Sequence, residues 1–190
     1  YLKGQLDRLG VNVRLNSEVG VDDVRAAAPD ALVLATGGQQ FIPPIPGVDG
    51  PNVVTGIDVL LGRQETGRRV VLIGGEEVAC EVADYISQDS DKEVTVTTLL
   101  PGFATKGHVA GVRALMNLQA KGVSFVPAVR EYLEINSEGV RLVDAQGEER
   151  LLAADTVVIS AGSKPDNSLQ AALANNGLVR YHIFTIGDAV

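Results

Sequence analysis

The chain has 190 residues, 45% of them hydrophobic and 21% charged, and carries a net charge of −8. That length and apolar content suit one sizeable core or two small ones, and they exclude a disordered or fibrous chain. A negative balance without any lysine or arginine run argues against nucleic acid and against an anionic membrane as the main partner, which leaves small molecules and proteins.

Leu2, Leu6 and Leu9 recur at helical spacing, and the alternation of Val11, Val13 and Leu15 then predicts a strand over 11–16. A short helix is predicted over 21–28. Residues 31–38, ALVLATGG, are an apolar run ending in glycine, the pattern of a parallel strand buried on both faces. The following QQFIPPIPGVDGPN, residues 39–52, is too rich in proline and glycine for a regular element and reads as a linker between two lobes.

After a helix at 56–61 and a turn at 62–67, strands and helices alternate: strand 68–74, helix 76–87, strand 93–99, helix 108–122 and strand 123–129. Val78, Val82, Tyr85 and Ile86 form the predicted apolar stripe of the first of these two helices, and Val109, Val112, Leu115 and Met116 that of the second. Such alternation implies right-handed crossovers and a parallel sheet. Residues 132–154 hold three strand-like pieces separated by Glu-Gly and Gln-Gly turns, which predicts an antiparallel meander. A strand at 156–162, a helix around 167–174 and a last strand from Ile183 complete the series.

Ligands of a doubly wound sheet sit beyond the carboxyl ends of its strands, so glycines there carry more weight than glycines elsewhere. Four strand ends carry them: Thr36, Gly37 and Gly38; Gly74 and Gly75; Ala161 and Gly162; Gly187 with Asp188. Any one of these is equally a sharp turn that needs glycine for geometry alone. All four, with the proline-rich crossover between the first two, make a more specific signal.

The stretch VVLIGGEEVACEVADYI, Val70 to Ile86, has the strand, glycine turn and helix of a dinucleotide site, but Glu76 stands at the second glycine position and Ala79 at the third. The position about 20 residues on, where an acidic side chain takes the ribose hydroxyls, holds Thr98. Glu76 brings a carboxylate to a helix N-terminus, an interaction of about 0.3–1 kcal/mol that lets it occupy the anion site itself. Thr98 offers no bidentate acceptor, and no arginine follows it to bind a 2′-phosphate, so neither the NAD nor the NADP pattern is complete. Cys80, the single cysteine, reads as a small packing residue. His108 and His182 have no ligand spacing, so no metal site is read, and Lys106 and His108 receive no role.

This constellation resembles the flavoprotein disulfide-reductase-like superfamily with two dinucleotide-binding domains. The resemblance implies an α/β fold in which a Rossmann-like parallel sheet, an NAD(P)-type lobe with an antiparallel meander, is inserted into a partial FAD-type lobe. The lobes expected are 1–50 and 163–190 for FAD and 51–162 for NAD(P). The short interval between SAGSKPDNSL and IGDAV is most similar to the old-yellow-enzyme-related NADH:flavin oxidoreductases, including the dienoyl-CoA reductases and the trimethylamine and histamine dehydrogenases. Thioredoxin reductase is disfavoured because its C-x-x-C pair is absent.

Carried across residue by residue, Thr36 and Gly37 match the strand end that passes close to FAD, and Asp188, beside Gly187, matches the acidic residue that bonds the flavin ribityl or diphosphate region. The alternative for Asp188 is a cap on the following helix. Gly74, Gly75, Glu76, Thr98 and Gly162 are the candidate positions around NAD(P)H or ADP. The implied activity is hydride transfer from NAD(P)H to a flavin, or electron transfer with the second nucleotide site vestigial, and no side chain is assigned a catalytic role. The competing reading is a scaffold module that binds ADP or nothing.

The subgroup further implies FMN and an iron–sulfur cluster in a barrel outside this chain. Implied partners are small-molecule nucleotides, the remainder of the same polypeptide and a second copy of the chain in a homo-oligomer. The chain reads as cut at both ends. No apolar run approaches the ~20 residues that span a bilayer, and the lone cysteine fits a reducing, cytoplasmic setting.

Overall fold

The computed structural model describes residues 1–103, 109–177 and 182–190, the side chains of 109–112 excepted. In chain order the elements are α1 (Leu2–Arg8), α2 (Val21–Ala27), β1 (Ala31–Leu34), β2 (Gly38–Gln40), β3 (Val53–Thr55) and α3 (Gly56–Leu60). Next come β4 (Arg69–Ile73), α4 (Glu77–Ile86), β5 (Glu93–Thr97), α5 (Val109–Ala120) and β6 (Ser124–Val126). The meander is β7 (Glu131–Asn136), β8 (Gly139–Val143) and β9 (Glu149–Ala153). The chain closes with β10 (Thr156–Ile159), β11 (Ser163–Pro165), α6 (Ser168–Asn175), β12 (His182–Thr185) and a 3-10 turn at Gly187–Ala189.

Two compact units result, one formed by residues 1–38 and 165–190 and the other by 39–164. In the larger unit five parallel strands lie in the order β3-β10-β4-β5-β6. Side chains of a strand alternate between its faces, and β4 divides accordingly. Val70 and Leu72 pack with Ala79, Cys80, Val82, Ala83 and Ile86 of α4 and with Leu118 of α5. Val71 and Ile73 pack on the other side with Ile135 and Val140 of the antiparallel meander β7-β8-β9. This is the Rossmann-like α/β arrangement with its meander.

In the smaller unit β1 and β12 form a parallel pair, and Val24 of α2 packs with Leu173 of α6. Asp23 helps to start α2, since its carboxylate accepts from the backbone N–H of Gly20 at 2.8 Å and relieves one unpaired donor of the first turn.

Four sequence expectations need correction. Residues 11–16 form no strand, and Leu15 is 79% exposed. Alternation supplies an apolar face, but a strand also needs a ladder, and no described strand pairs with this segment. Residues 31–34 do form a strand, yet Val33 is exposed, because β1 has β12 as its one described neighbour. The stretch 39–52 is no free linker: Ile45 is buried with Ile73 and Ile135, and Pro46 accepts from the backbone N–H of Ile135 at 2.8 Å. Gly47, at φ +83°, lies so close that an added Cβ would stand 1.9 Å from the Ile135 carbonyl oxygen.

The helical stripes are the fourth case. On α4 the buried face is Ala79, Cys80, Val82, Ala83 and Ile86, while Val78 is 54% exposed and Tyr85 is also exposed. Small residues let this helix settle close to the sheet, and the Cβ of Ala79 is 3.2 Å from where a Cβ on Gly74 would be. On α5 Leu115 packs against the core, Met116 is 65% exposed and Leu118 is fully buried. The side chains of Val109 and Val112 lie outside the described residues.

At the opposite edge of the sheet from the glycine turns, Asp155 accepts from the Arg69 backbone N–H at 2.8 Å and from its guanidinium Nε at 3.1 Å. The Arg69 side chain foremost, then its backbone, holds the Asp155 carboxyl down to about 2. A carboxyl depressed on folding contributes stability above its unfolded value of about 4 and loses it as pH falls towards the folded value. Melting temperature measured between pH ~5 and pH ~2 is therefore expected to fall less for Asp155→Asn than for the unmodified chain. Parallel curves would show that the pair does not control this limb.

Candidate functional site

A cavity of about 290 Å³ lies at the carboxyl ends of β4, β5 and β10. Its lining comes from Gly74, Gly75 and Glu76 after β4, Thr98, Leu99 and Leu100 after β5, and Ser160, Ala161 and Gly162 after β10. Ile73 of β4, Phe41 and Pro43 of the crossover, and Tyr132 of the meander complete the wall.

Neighbouring strands dictate the glycines of the β4 turn. A Cβ on Gly74, whose φ is +147°, would stand 2.0 Å from the Ser160 carbonyl oxygen. A Cβ on Gly75 would stand 2.4 Å from Thr98 Oγ1 and 2.5 Å from its Cβ. No L side chain fits either place, whatever the turn binds. Gly162 differs: its φ is +100°, and nothing lies within 4 Å of its Cβ position.

Glu76, half-buried, is the N-cap residue of α4 and accepts from the Cys80 backbone N–H at 3.2 Å through its own carbonyl. Thr98 is buried, and its Oγ1 accepts from the Leu100 backbone N–H at 3.1 Å. The hydroxyl at the expected ribose position is thus engaged with its own chain.

Tyr132 was not marked by the sequence, because nothing near it in the chain singles it out and only the stacking of meander on sheet brings it here. Its Oη donates to Thr97 Oγ1 at 2.9 Å, and Thr97 donates in turn to the Leu72 carbonyl at 3.0 Å. Burial pushes the Tyr132 phenol up to about 12. Burial foremost, then the Glu76 charge, pushes the Cys80 thiol up to about 11, so this sulfur stays protonated and unreactive at neutral pH.

The remaining sequence candidates lie in the smaller unit. Leu34 stands beside Thr185 in register, and Ile186 N–H bonds the Leu34 carbonyl at 2.9 Å, so Thr36 and Gly37 come out at the same edge as Gly187 and Asp188. Gly37, at φ +73°, and Gly187, at φ +65°, have nothing within 4 Å of their Cβ positions. Thr36 Oγ1 donates to the Asp166 carbonyl at 2.7 Å, which fixes the strand end. Asp188 is exposed within its 3-10 turn. The nine candidates therefore fall into two groups: Gly74, Gly75, Glu76, Thr98 and Gly162 around the cavity, and Thr36, Gly37, Gly187 and Asp188 at the β1–β12 edge.

Lys106 and His108 lie outside the described residues. Among the described residues no group of three or more His, Cys, Asp or Glu is arranged to hold a metal ion, and no helix is long and apolar enough to cross a membrane.

Residues 2–188 match the family described as pyridine nucleotide-disulphide oxidoreductase. The chain belongs to that family. Among its relatives, a metal reductase of Desulforamulus reducens is 29% identical over all of this chain and 33% of its own length. An NADH oxidase of Thermoanaerobacter brockii is 31% identical over all of this chain and 29% of its own. Among solved structures, a 2-naphthoyl-CoA reductase complex matches at TM-score 0.87 and 34% identity over all of this chain and 28% of that one. The 6-hydroxypseudooxynicotine amine oxidase of Pseudomonas geniculata matches at TM-score 0.82 and 27% identity over 98% of this chain and 30% of that one. The chain spans about a third of the length of these relatives. Disulfide chemistry within this stretch of a pyridine nucleotide-disulphide oxidoreductase would need two thiols, and the sequence has one, buried on α4.

Proposed function

We propose that this chain is the nucleotide-binding portion of a flavin-dependent oxidoreductase that passes reducing equivalents between a nicotinamide cofactor and a flavin. The observation that carries the reading is the open carboxyl edge of β1 and β12, in a chain whose whole length fits one oxidoreductase family. Gly37 and Gly187 leave room there for a ligand, and the exposed carboxylate of Asp188 is free to accept from ribityl hydroxyls. These residues fit FAD, and they are the ones that would hold it. Bound FAD would supply the two-electron acceptor, and the protein's part is to bind and orient it.

Residues 1–50 and 163–190 are then the FAD-type lobe and 51–162 the NAD(P)-type lobe, apart from the short flanks that pack with the latter. Likeness to 2-naphthoyl-CoA reductase and to an amine oxidase supports the old-yellow-enzyme-related subgroup, with FMN and an iron–sulfur cluster in the rest of the polypeptide.

A dinucleotide fits the larger unit less well. Glu76 presents a carboxylate in the cavity wall, no lysine or arginine is among the described lining residues, and Thr98 is engaged with Leu100. Both departures weaken pyrophosphate and ribose recognition. They are also what favours the second reading, a scaffold that binds ADP or nothing in this unit.

The test uses the full-length protein. FAD is expected in its denatured extract, and calorimetry is expected to show weak NADH binding that Glu76→Gly tightens about tenfold, or ~1.4 kcal/mol. Absence of FAD would sink the proposal, and submicromolar NADH binding by the unmodified protein would refute the role given to Glu76. A flavin that NADH fails to reduce would select the scaffold reading.

A further inference from the structure

We propose, resting on the nucleotide-binding reading above, that Lys164 determines how the larger unit holds a phosphate: its ammonium lies on the Phe41 ring at the cavity rim and turns onto the phosphate of a bound nucleotide. Lys164 is none of the nine sequence candidates. Three observations carry the assignment.

The first is place. Phe41 and Gly162 both line the cavity, and the Phe41 N–H bonds the Gly162 carbonyl at 2.9 Å, so the two segments are locked side by side at this part of the wall. Lys164, on β11, follows Gly162 by two residues. Its Nζ stands 4.4 Å from the centroid of the Phe41 ring. A cation is thereby held against a side chain of the wall without belonging to the wall itself.

The second is availability. None of the ion pairs among the described residues includes Lys164. Its side chain is exposed, and the contact that holds it is with an aromatic face. Such a face, in reach of water, binds a cation more weakly than a charged oxygen does in a charge-assisted hydrogen bond. A phosphate therefore competes successfully for the ammonium, and the flexible aliphatic stem of lysine lets it turn.

The third is room. Nothing lies within 4 Å of the Cβ position of Gly162, so the wall is open beside the segment that carries Lys164. No lysine or arginine is among the described lining residues. A cation that meets a phosphate here has to reach in from outside the wall, as Lys164 does by turning off Phe41.

Calorimetric titration of the full-length protein with ADP, and with adenosine, which lacks the phosphates, tests the assignment. ADP is expected to bind the unmodified protein about fivefold more tightly than adenosine. Lys164→Met, which keeps the bulk of the stem and removes the charge, is expected to weaken ADP about fivefold and to leave adenosine within about twofold. Lys164→Arg is expected to keep ADP within about twofold of the unmodified protein. Phe41→Leu removes the competing ring and is expected to widen the ratio of the two affinities. A ratio that Lys164→Met leaves unchanged overturns the inference, as does a ratio that Phe41→Leu narrows. With ADP still bound, the nucleotide-binding reading then stands. Binding of neither ligand by the unmodified protein overturns both.

Discussion

Valine at Gly74 is expected to lower the free energy of unfolding by roughly 3–5 kcal/mol, a large share of the ~5–15 kcal/mol that holds an ordinary domain. The first Cβ alone would stand 2.0 Å from the carbonyl oxygen of Ser160, and that oxygen belongs to the backbone just past β10. Neither partner has a side-chain rotamer to give. Relief would require moving the end of β4 or the end of β10, and Gly74 N–H also bonds the Thr97 carbonyl at 2.9 Å. Its φ of +147° adds strain for any L side chain. Urea unfolding followed by circular dichroism measures the loss. Gly162→Ala is the control, since its φ of +100° is strained while its surroundings are open, and a cost of only ~1–2 kcal/mol is expected. Equal losses at the two sites would show that crowding by Ser160 is not the cause.

Leu118→Ala is expected to cost ~2–5 kcal/mol, whereas Met116→Ala should change stability by less than ~0.5 kcal/mol. Leu118 is 0% exposed and packs in the cluster that joins α5 to α4 and the sheet, so truncation leaves a cavity. Met116 points to solvent. The sequence reading gives the opposite ranking, because it placed Met116 in the apolar stripe. The two melting curves therefore decide which face of α5 is buried, and a costly Met116→Ala would reverse the assignment.

These helices show where the sequence was legible and where it was not. Strand positions were readable, because runs such as Val70–Ile73 and Val157–Ile159 are buried on both faces and have no polar residue to confuse the pattern. The meander was readable from its turns. Helix orientation was not, since counting large side chains overlooks that the small residues Ala79 and Ala83 belong to the buried face, Ala79 lying against Gly74 at the end of β4. The strand expected at 11–16 failed for another reason: alternation is local, whereas a ladder needs a partner that no local pattern supplies.

The candidate site was legible in part by the same logic. Glycines after strands marked the cavity edge, and Glu76 and Thr98 indeed line it. What the glycines are for was not legible, because the crowding at Gly74 and Gly75 comes from residues far along the chain, Ser160 and Thr98. Phe41 and Tyr132 reach the same wall from the crossover and the meander, by packing alone.

The ribbon formed by β2 and β11 contains both places where the chain passes between its two units, at 38–39 and 164–165. Just inside those passages Phe41 N–H bonds the Gly162 carbonyl at 2.9 Å. The segment 39–164 thus begins and ends on adjacent strands, whose spacing in a sheet is ~5 Å. A segment with neighbouring ends behaves as a cassette: it can be excised, replaced or rejoined end to end while leaving its host a gap that a short turn spans.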